Sequence, residues 1–197
     1  LGLFTRHMAD DYCYGADAMS QGLWDMVRTS YLTWSGRFSF VFAVGVAEKL
    51  GAWLVPYWPA IAISVWLTTL IWTFWRVQSA ICRKASAWLA LLLASLVLFV
   101  TLYSIPNVYQ SLYWRSGVFT YVVPLIGLGA YIGFLTHAIT RWHTGPRAIV
   151  FLVLSFSIAF FAGGFTETYV VLQTGILFLA LWFSLLVLPP HHKRRAM

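Results

Sequence analysis

The chain has 197 residues, of which 60% are hydrophobic, 18% aromatic and only 10% charged, with a mean hydropathy of +0.76 and a formal net charge of +7. Soluble domains carry about 25% charged residues, so this composition excludes one and specifies a protein of the lipid bilayer. The high pI near 9.7 does not indicate nucleic acid, because the basic residues stand beside span ends instead of forming one patch.

In chain order, the first predicted element lies outside the bilayer and opens with two adjacent carboxylates, in Ala9-Asp10-Asp11-Tyr12-Cys13-Tyr14. Neighbouring carboxylates repel unless a cation, a proton or an arginine intervenes, which makes them candidates for a general base or a metal ligand. The pair reads equally as a helix start, where aspartates cap the first turn and favour the dipole. From Asp17 to Trp34, Leu23, Trp24, Val27, Tyr31 and Trp34 recur at helical spacing with polar residues between them. This predicts an amphipathic helix lying on the membrane surface.

Gly36 permits a sharp turn, and Arg37 after it suits a lipid phosphate, an ion pair with Asp10 or Asp11, or headgroup snorkelling. Phe38 to Val46 is apolar but only nine residues long, too short to cross, which predicts a second juxtamembrane helix. Residues 1–52 therefore read as an acidic loop with two juxtamembrane helices, 53–188 as a transmembrane bundle and 189–197 as a basic tail.

Apolar segments follow at about Trp53 to Trp75, Ala87 to Tyr103, Val122 to Thr140, Ala148 to Ala162 and Tyr169 to Leu188. A helix needs about 20 residues to cross about 30 Å of hydrocarbon, so these predict an all-α bundle of about five spans. Threading them alternately puts Arg76, Arg83, Lys84, Arg141, Arg147, Lys193, Arg194 and Arg195 on one side, with no acid among them. That side is expected to be the cytoplasm. All six acids then fall on the opposite, outer side: Asp10, Asp11, Asp17, Asp25 and Glu48 before the first span, and Glu167 between the last two. An outer amino-terminal segment needs a span to carry it across, so a further transmembrane helix is expected ahead of Leu1.

Two outer connections carry candidate site residues. Tyr113-Trp114-Arg115-Ser116-Gly117 and Thr120-Tyr121 place aromatic faces beside an arginine, which suits a sugar next to a phosphate and equally suits an aromatic belt. Glu167, in Gly163-Gly164-Phe165-Thr166-Glu167-Thr168, is an acid at a span edge with no basic neighbour in sequence, which favours a functional or cavity-lining role over a solvated turn. His7, His137, His143, His191 and His192 show no ligand spacing, and Cys13 and Cys82 fall on opposite sides and cannot pair.

The order Asp10-Asp11-Tyr12, an amphipathic stretch, Trp34-Ser35-Gly36-Arg37-Phe38, then Tyr113-Trp114-Arg115-Ser116-Gly117 resembles bacterial membrane proteins of the GT-C glycosyltransferase superfamily. The chain is particularly similar to the O-antigen glucosyltransferase type and its relatives. The resemblance implies a sugar moved from a polyprenyl-phosphate donor to an envelope glycan or lipid acceptor at the outer face of the bacterial inner membrane. It implies that Asp10 or Asp11 is the general base, that Arg37 with Arg115 holds the donor phosphate, and that Glu167 orients the acceptor or the second carboxylate. Tyr12, Tyr113 and Trp114 are expected to line the substrate site. Some family members use a divalent cation and others none, and the family has more spans than the five here. The rival expectation is a transporter or flippase for a lipid-linked or small polar substrate, which places ionisable residues near mid-membrane and uses broken helices. A third is an assembly subunit whose acids decorate a solvated loop.

Overall fold

The computed structural model of the protein describes residues 2, 5–82, 84–141 and 146–187. It is 87% helical and, among the described residues, holds no strand, so the fold is an all-α helical bundle. Arg83, His143, His191, His192 and the expected basic tail at 189–197 lie outside the described residues.

Helices α1 (Asp10–Ser20), α2 (Leu23–Thr33) and α3 (Phe38–Leu50) form an amino-terminal assembly. A 3₁₀ turn, Ala52–Tyr57, leads into α4 (Trp58–Ile81), whose Pro59 sits in the first turn where a missing N–H breaks no bond. The next helix, α5 (Ala87–Ser104), starts on Ser86, whose hydroxyl accepts the Leu89 N–H at 3.4 Å. Two π-helical turns, Tyr109–Tyr113 and Val118–Val122, flank the three-residue α6 (Arg115–Gly117) and run into α7 (Val123–Arg141). Helices α8 (Pro146–Gly163) and α9 (Glu167–Val187) complete the bundle.

Among the described residues, three helical stretches are long and apolar enough to cross a membrane: Ala52–Ile81, Ala87–Ser104 and Arg115–Thr140. The fourth and fifth predicted spans correspond to α8 and α9, whose apolar stretches, Ile149–Gly163 and Glu167–Phe183, are shorter. Large apolar side chains point outward from the bundle, among them Leu92, Leu96 and Phe99 on α5 and Phe178 and Trp182 on α9. Water would not tolerate such a surface, and lipid does.

The amino-terminal assembly holds three helices where two were expected. The helix expected over Asp17–Trp34 breaks at Gly22, whose φ of +83° turns the chain between α1 and α2. Helix α3, expected as the second juxtamembrane helix, is the centre of a packed core with Ser39, Phe40, Val41, Val44, Gly45 and Ala47 buried. An apolar sequence on every face of a short helix has this consequence, since no side of it prefers water. Met26, Phe40, Val44, Phe119 and Phe165 meet in that core, which ties α2 and α3 to the connections before α7 and α9.

Small residues let the spans approach closely. Thr73 on α4 donates to the Gly129 carbonyl of α7 at 2.8 Å, and the Trp72 ring lies against Gly133. Gly117 is tighter still, because a Cβ there would overlap the Gln110 carbonyl oxygen. Gly117→Ala is therefore expected to lower stability by about 1–3 kcal/mol, the range for overpacking a filled site. A thermal midpoint in detergent micelles equal to that of wild type would contradict this packing.

Candidate functional site

The starts of α4, α7 and α9, the ends of α5 and α8, and helices α1 to α3 gather at one end of the bundle. Two charged groupings form there, one buried and one open.

The buried grouping centres on Arg115, whose side chain is 1% exposed. Its Nη2 lies 3.3 Å from Asp11 Oδ1 and donates to the Asp11 main-chain oxygen at 3.4 Å. Its Nη1 lies 2.5 Å from Glu48 Oε1, an ion pair whose alignment falls short of a hydrogen bond. The remaining capacity of Asp11 is also used. The Ser116 hydroxyl donates to its Oδ1, and the Met8 N–H donates to its Oδ2 at 3.1 Å. The Trp114 indole donates to the Met8 carbonyl at 3.3 Å, and the backbones of Arg6 and Trp114 form a parallel bridge. Asp11, Glu48, Arg115 and Ser116 thus bind α1, α3 and the segment before α7 into one unit.

The open grouping is built by the turn between α8 and α9. The Gly164 carbonyl accepts the N–H groups of Ser39 at 3.1 Å and Phe40 at 3.3 Å, which have no partner within the first turn of α3. That docking brings Glu167 to Arg37, 130 residues away in sequence. Arg37 Nε donates to Glu167 Oε1 at 3.1 Å and Oε2 at 2.9 Å, and Nη2 lies 2.8 Å from Oε2. The two side chains are 41% and 66% exposed. Asp10 and Tyr12 on α1 are exposed beside Asp11, which faces inward. Tyr14 interacts electrostatically with Asp10 and Arg37, and Arg37 with Tyr121, so these groups share one neighbourhood. Burial, with Asp10 nearby, pushes the Tyr14 phenol up, which keeps it a proton donor at neutral pH.

Hydrogen bonds from Arg37, and then its own backbone N–H, hold Glu167 below the usual carboxylate range, and the same bond raises Arg37. A carboxylate whose pKa is lower folded than unfolded adds stability above its unfolded value, here near 4.5, and loses it as pH falls through the folded value. The difference in thermal midpoint between wild type and Glu167→Gln is therefore expected to be steady above about pH 4.5 and to shrink as pH drops further. It is expected to be small, because the pair is solvent-exposed. A difference that grows on acidification would show that Glu167 is not ion-paired.

Of the residues singled out in the sequence, Arg37 and Glu167 meet on the open side, Asp10 is exposed at the start of α1 near Tyr14, and Asp11 and Arg115 lie in the buried grouping. The arginine partners differ from the simplest expectation: Arg37 pairs with Glu167, and Arg115 takes Asp11. Tyr113 is half-buried and packs on the core around Trp66 and Leu112, and Trp114 is half-buried on Met8. Glu48, counted in the sequence only as one of the six outer acids, joins the buried grouping through Arg115. Its place on α3, one helical turn beyond Val44 and two beyond Val41, continues the buried stripe, and an acid in that register signals a buried partner.

Two lateral grooves reach this end. The larger, about 780 Å³, opens between α7, α8 and α9 and meets Phe38, Gly163 and Gly164 at its mouth. The smaller, about 370 Å³, runs between α4, α5 and the segment before α7, with Trp66, Ile105 and Leu125 in its walls and Asn107, Gln110 and Tyr121 at its rim. Among the described residues, no three His, Cys, Asp or Glu side chains are placed to hold a metal ion. No family model, no curated protein and no solved structure matches the chain.

Proposed function

We propose that the protein is a glycosyltransferase of the bacterial inner membrane that moves a sugar from a polyprenyl-phosphate donor to a hydroxyl of an envelope glycan or lipid at the outer face. The observation that carries this reading is the gathering of Asp10, Tyr14, Arg37, Tyr121 and Glu167 at one end of an apolar bundle, where lateral grooves open. A lipid-linked sugar needs an apolar path for its tail, a cation for its phosphate and a base for the acceptor, all at one depth.

The donor's first isoprene units would lie in the smaller groove along Trp66, Ile105 and Leu125, with Asn107 and Gln110 offering hydrogen bonds to sugar hydroxyls. The Arg37 guanidinium, beside Tyr121, would hold the phosphate. Asp10 would take the proton of the acceptor hydroxyl as its oxygen bonds to the anomeric carbon. The bond from that carbon to the phosphate oxygen breaks, and the electron pair leaves with the phosphate, inverting the centre. Glu167, once the phosphate shares its arginine, would orient the acceptor. Arg115 would act on the site through Asp11 and Glu48, by fixing the helix that carries Asp10.

The test is transfer of label from radiolabelled polyprenyl-phosphate sugars in membranes that contain the protein. Label in a product that no longer extracts with the donor lipid is the expected result. Intact labelled donor that crosses the membrane with its sugar-phosphate bond unbroken would instead identify a flippase.

A further inference from the structure

The walls of the larger groove are apolar along most of their length, with Leu135 from α7, Leu152, Phe156 and Phe160 from α8 and Leu177 from α9. Two features interrupt them. First, Gln173 and Thr174 on α9 and Ser155 on α8 also line the groove, and Gln173 Oε1 is buried with no hydrogen-bond partner. Ser155 answers its own need by donating back to the Phe151 carbonyl at 2.7 Å, and so offers Gln173 no proton. An unpaired carboxamide in a hydrocarbon setting is costly, so the groove calls for an occupant with a polar atom at that depth.

Second, each charge of the open ion pair adjoins a part of the chain that lines the groove. Glu167, Val170, Gln173 with Thr174, and Leu177 follow one another at helical spacing, so Glu167 heads the stripe of α9 that lines the groove. Six residues of helix separate Glu167 from Gln173, about 9 Å at 1.5 Å per residue. Arg37 directly precedes Phe38, which closes the mouth from the other side. Glu167 engages Arg37 at Nε and Nη2, which leaves the Nη1 edge of the fork for an anion.

These features select among lipids. A polyprenyl chain has no polar atom below its phosphate and leaves Gln173 unpaired. A lipid with a purely anionic head sets its charge against Glu167. A phospholipid with both signs in its head, and polar linkages roughly a nanometre below, meets each group. We propose that the groove between α7, α8 and α9 is a binding site for a zwitterionic glycerophospholipid of the phosphoethanolamine type. Its phosphate lies on Arg37, its ammonium on Glu167 and its ester region against Gln173 and Thr174, with one acyl chain between α7, α8 and α9. The carboxamide carries both a donor and an acceptor, so by turning over it meets an ester carbonyl with its N–H. This occupancy stands apart from sugar transfer. Because a donor phosphate would use the same arginine, it is measured with no donor present.

The experiment is lipid retention by native mass spectrometry on the delipidated full chain, offered phosphatidylethanolamine or phosphatidylglycerol one at a time. Phosphatidylethanolamine is expected to be retained about tenfold more tightly than phosphatidylglycerol, the ratio that one well-placed charge pair supplies at about 1.4 kcal/mol. Glu167→Gln is expected to bring the two lipids level, and Gln173→Leu to weaken both. Equal retention of phosphatidylglycerol by wild type would overturn the proposal. So would a phosphatidylethanolamine preference untouched by both substitutions. The wild-type comparison stands even where a variant is poorly folded.

Discussion

Arg115→Ala is expected to destabilise the protein by about 3–5 kcal/mol, the penalty for removing one member of a buried charge cluster. The substitution leaves Asp11, which is fully buried, and Glu48, at 11% exposure, without the cation between them. Arg115→Lys should recover only part of the loss. One ammonium cannot reproduce a fork that reaches Glu48 from Nη1 and Asp11 from Nη2. The combination Asp11→Asn, Glu48→Gln and Arg115→Met, which removes all the charges at similar volume, is expected to be more stable than Arg115→Ala alone. Unfolding free energies in mixed micelles decide the matter. If Arg115→Ala falls within about 0.5 kcal/mol of wild type, as surface substitutions do, the triad is solvated and does not hold the end of the bundle together.

Composition made the helical membrane fold legible, because a chain with this few charges can satisfy its backbone in lipid only within helices or a closed barrel, and the apolar runs have helix length. The boundaries of α5 and α7 follow from the same runs to within one residue, whereas α4 starts at Trp58 and runs six residues past the expected Trp75, to Ile81. The break at Gly22 was present in the sequence as a glycine, and the residues at helical spacing, Leu23, Val27 and Tyr31, all lie beyond it in α2. The pairing of charges was not legible. With six acids and several arginines on the same side, sequence distance carries no information about which pairs form. Arg37 meets Glu167 only because the Gly164 carbonyl caps α3. The larger groove leaves no local signal at all, since its walls come from three helices and the start of a fourth.

The two adjacent aspartates are expected to separate cleanly under substitution. Asp10→Asn should lower sugar transfer by about 10²–10⁴-fold, the usual contribution of a positioned general base, with protein level unchanged. Its carboxylate is exposed and near Tyr14, and asparagine at that position disturbs no packed neighbour. Asp11→Asn acts differently. Its oxygen can still accept from Ser116 and Arg115, but its new amide group faces the Met8 N–H, two donors with no acceptor between them. Leaving that buried group unpaired costs about 1–3 kcal/mol, so the main effect should be on folded protein and not on the rate per folded molecule. Normalising transfer to folded protein distinguishes the two effects. Loss per folded molecule in Asp11→Asn, with full transfer by Asp10→Asn, would move the proton transfer into the buried grouping and require Arg115 to release its carboxylate during turnover. Full transfer in both would remove carboxylate base catalysis on α1 altogether and leave Glu167 as the acid at the open end that still lies beside a cation.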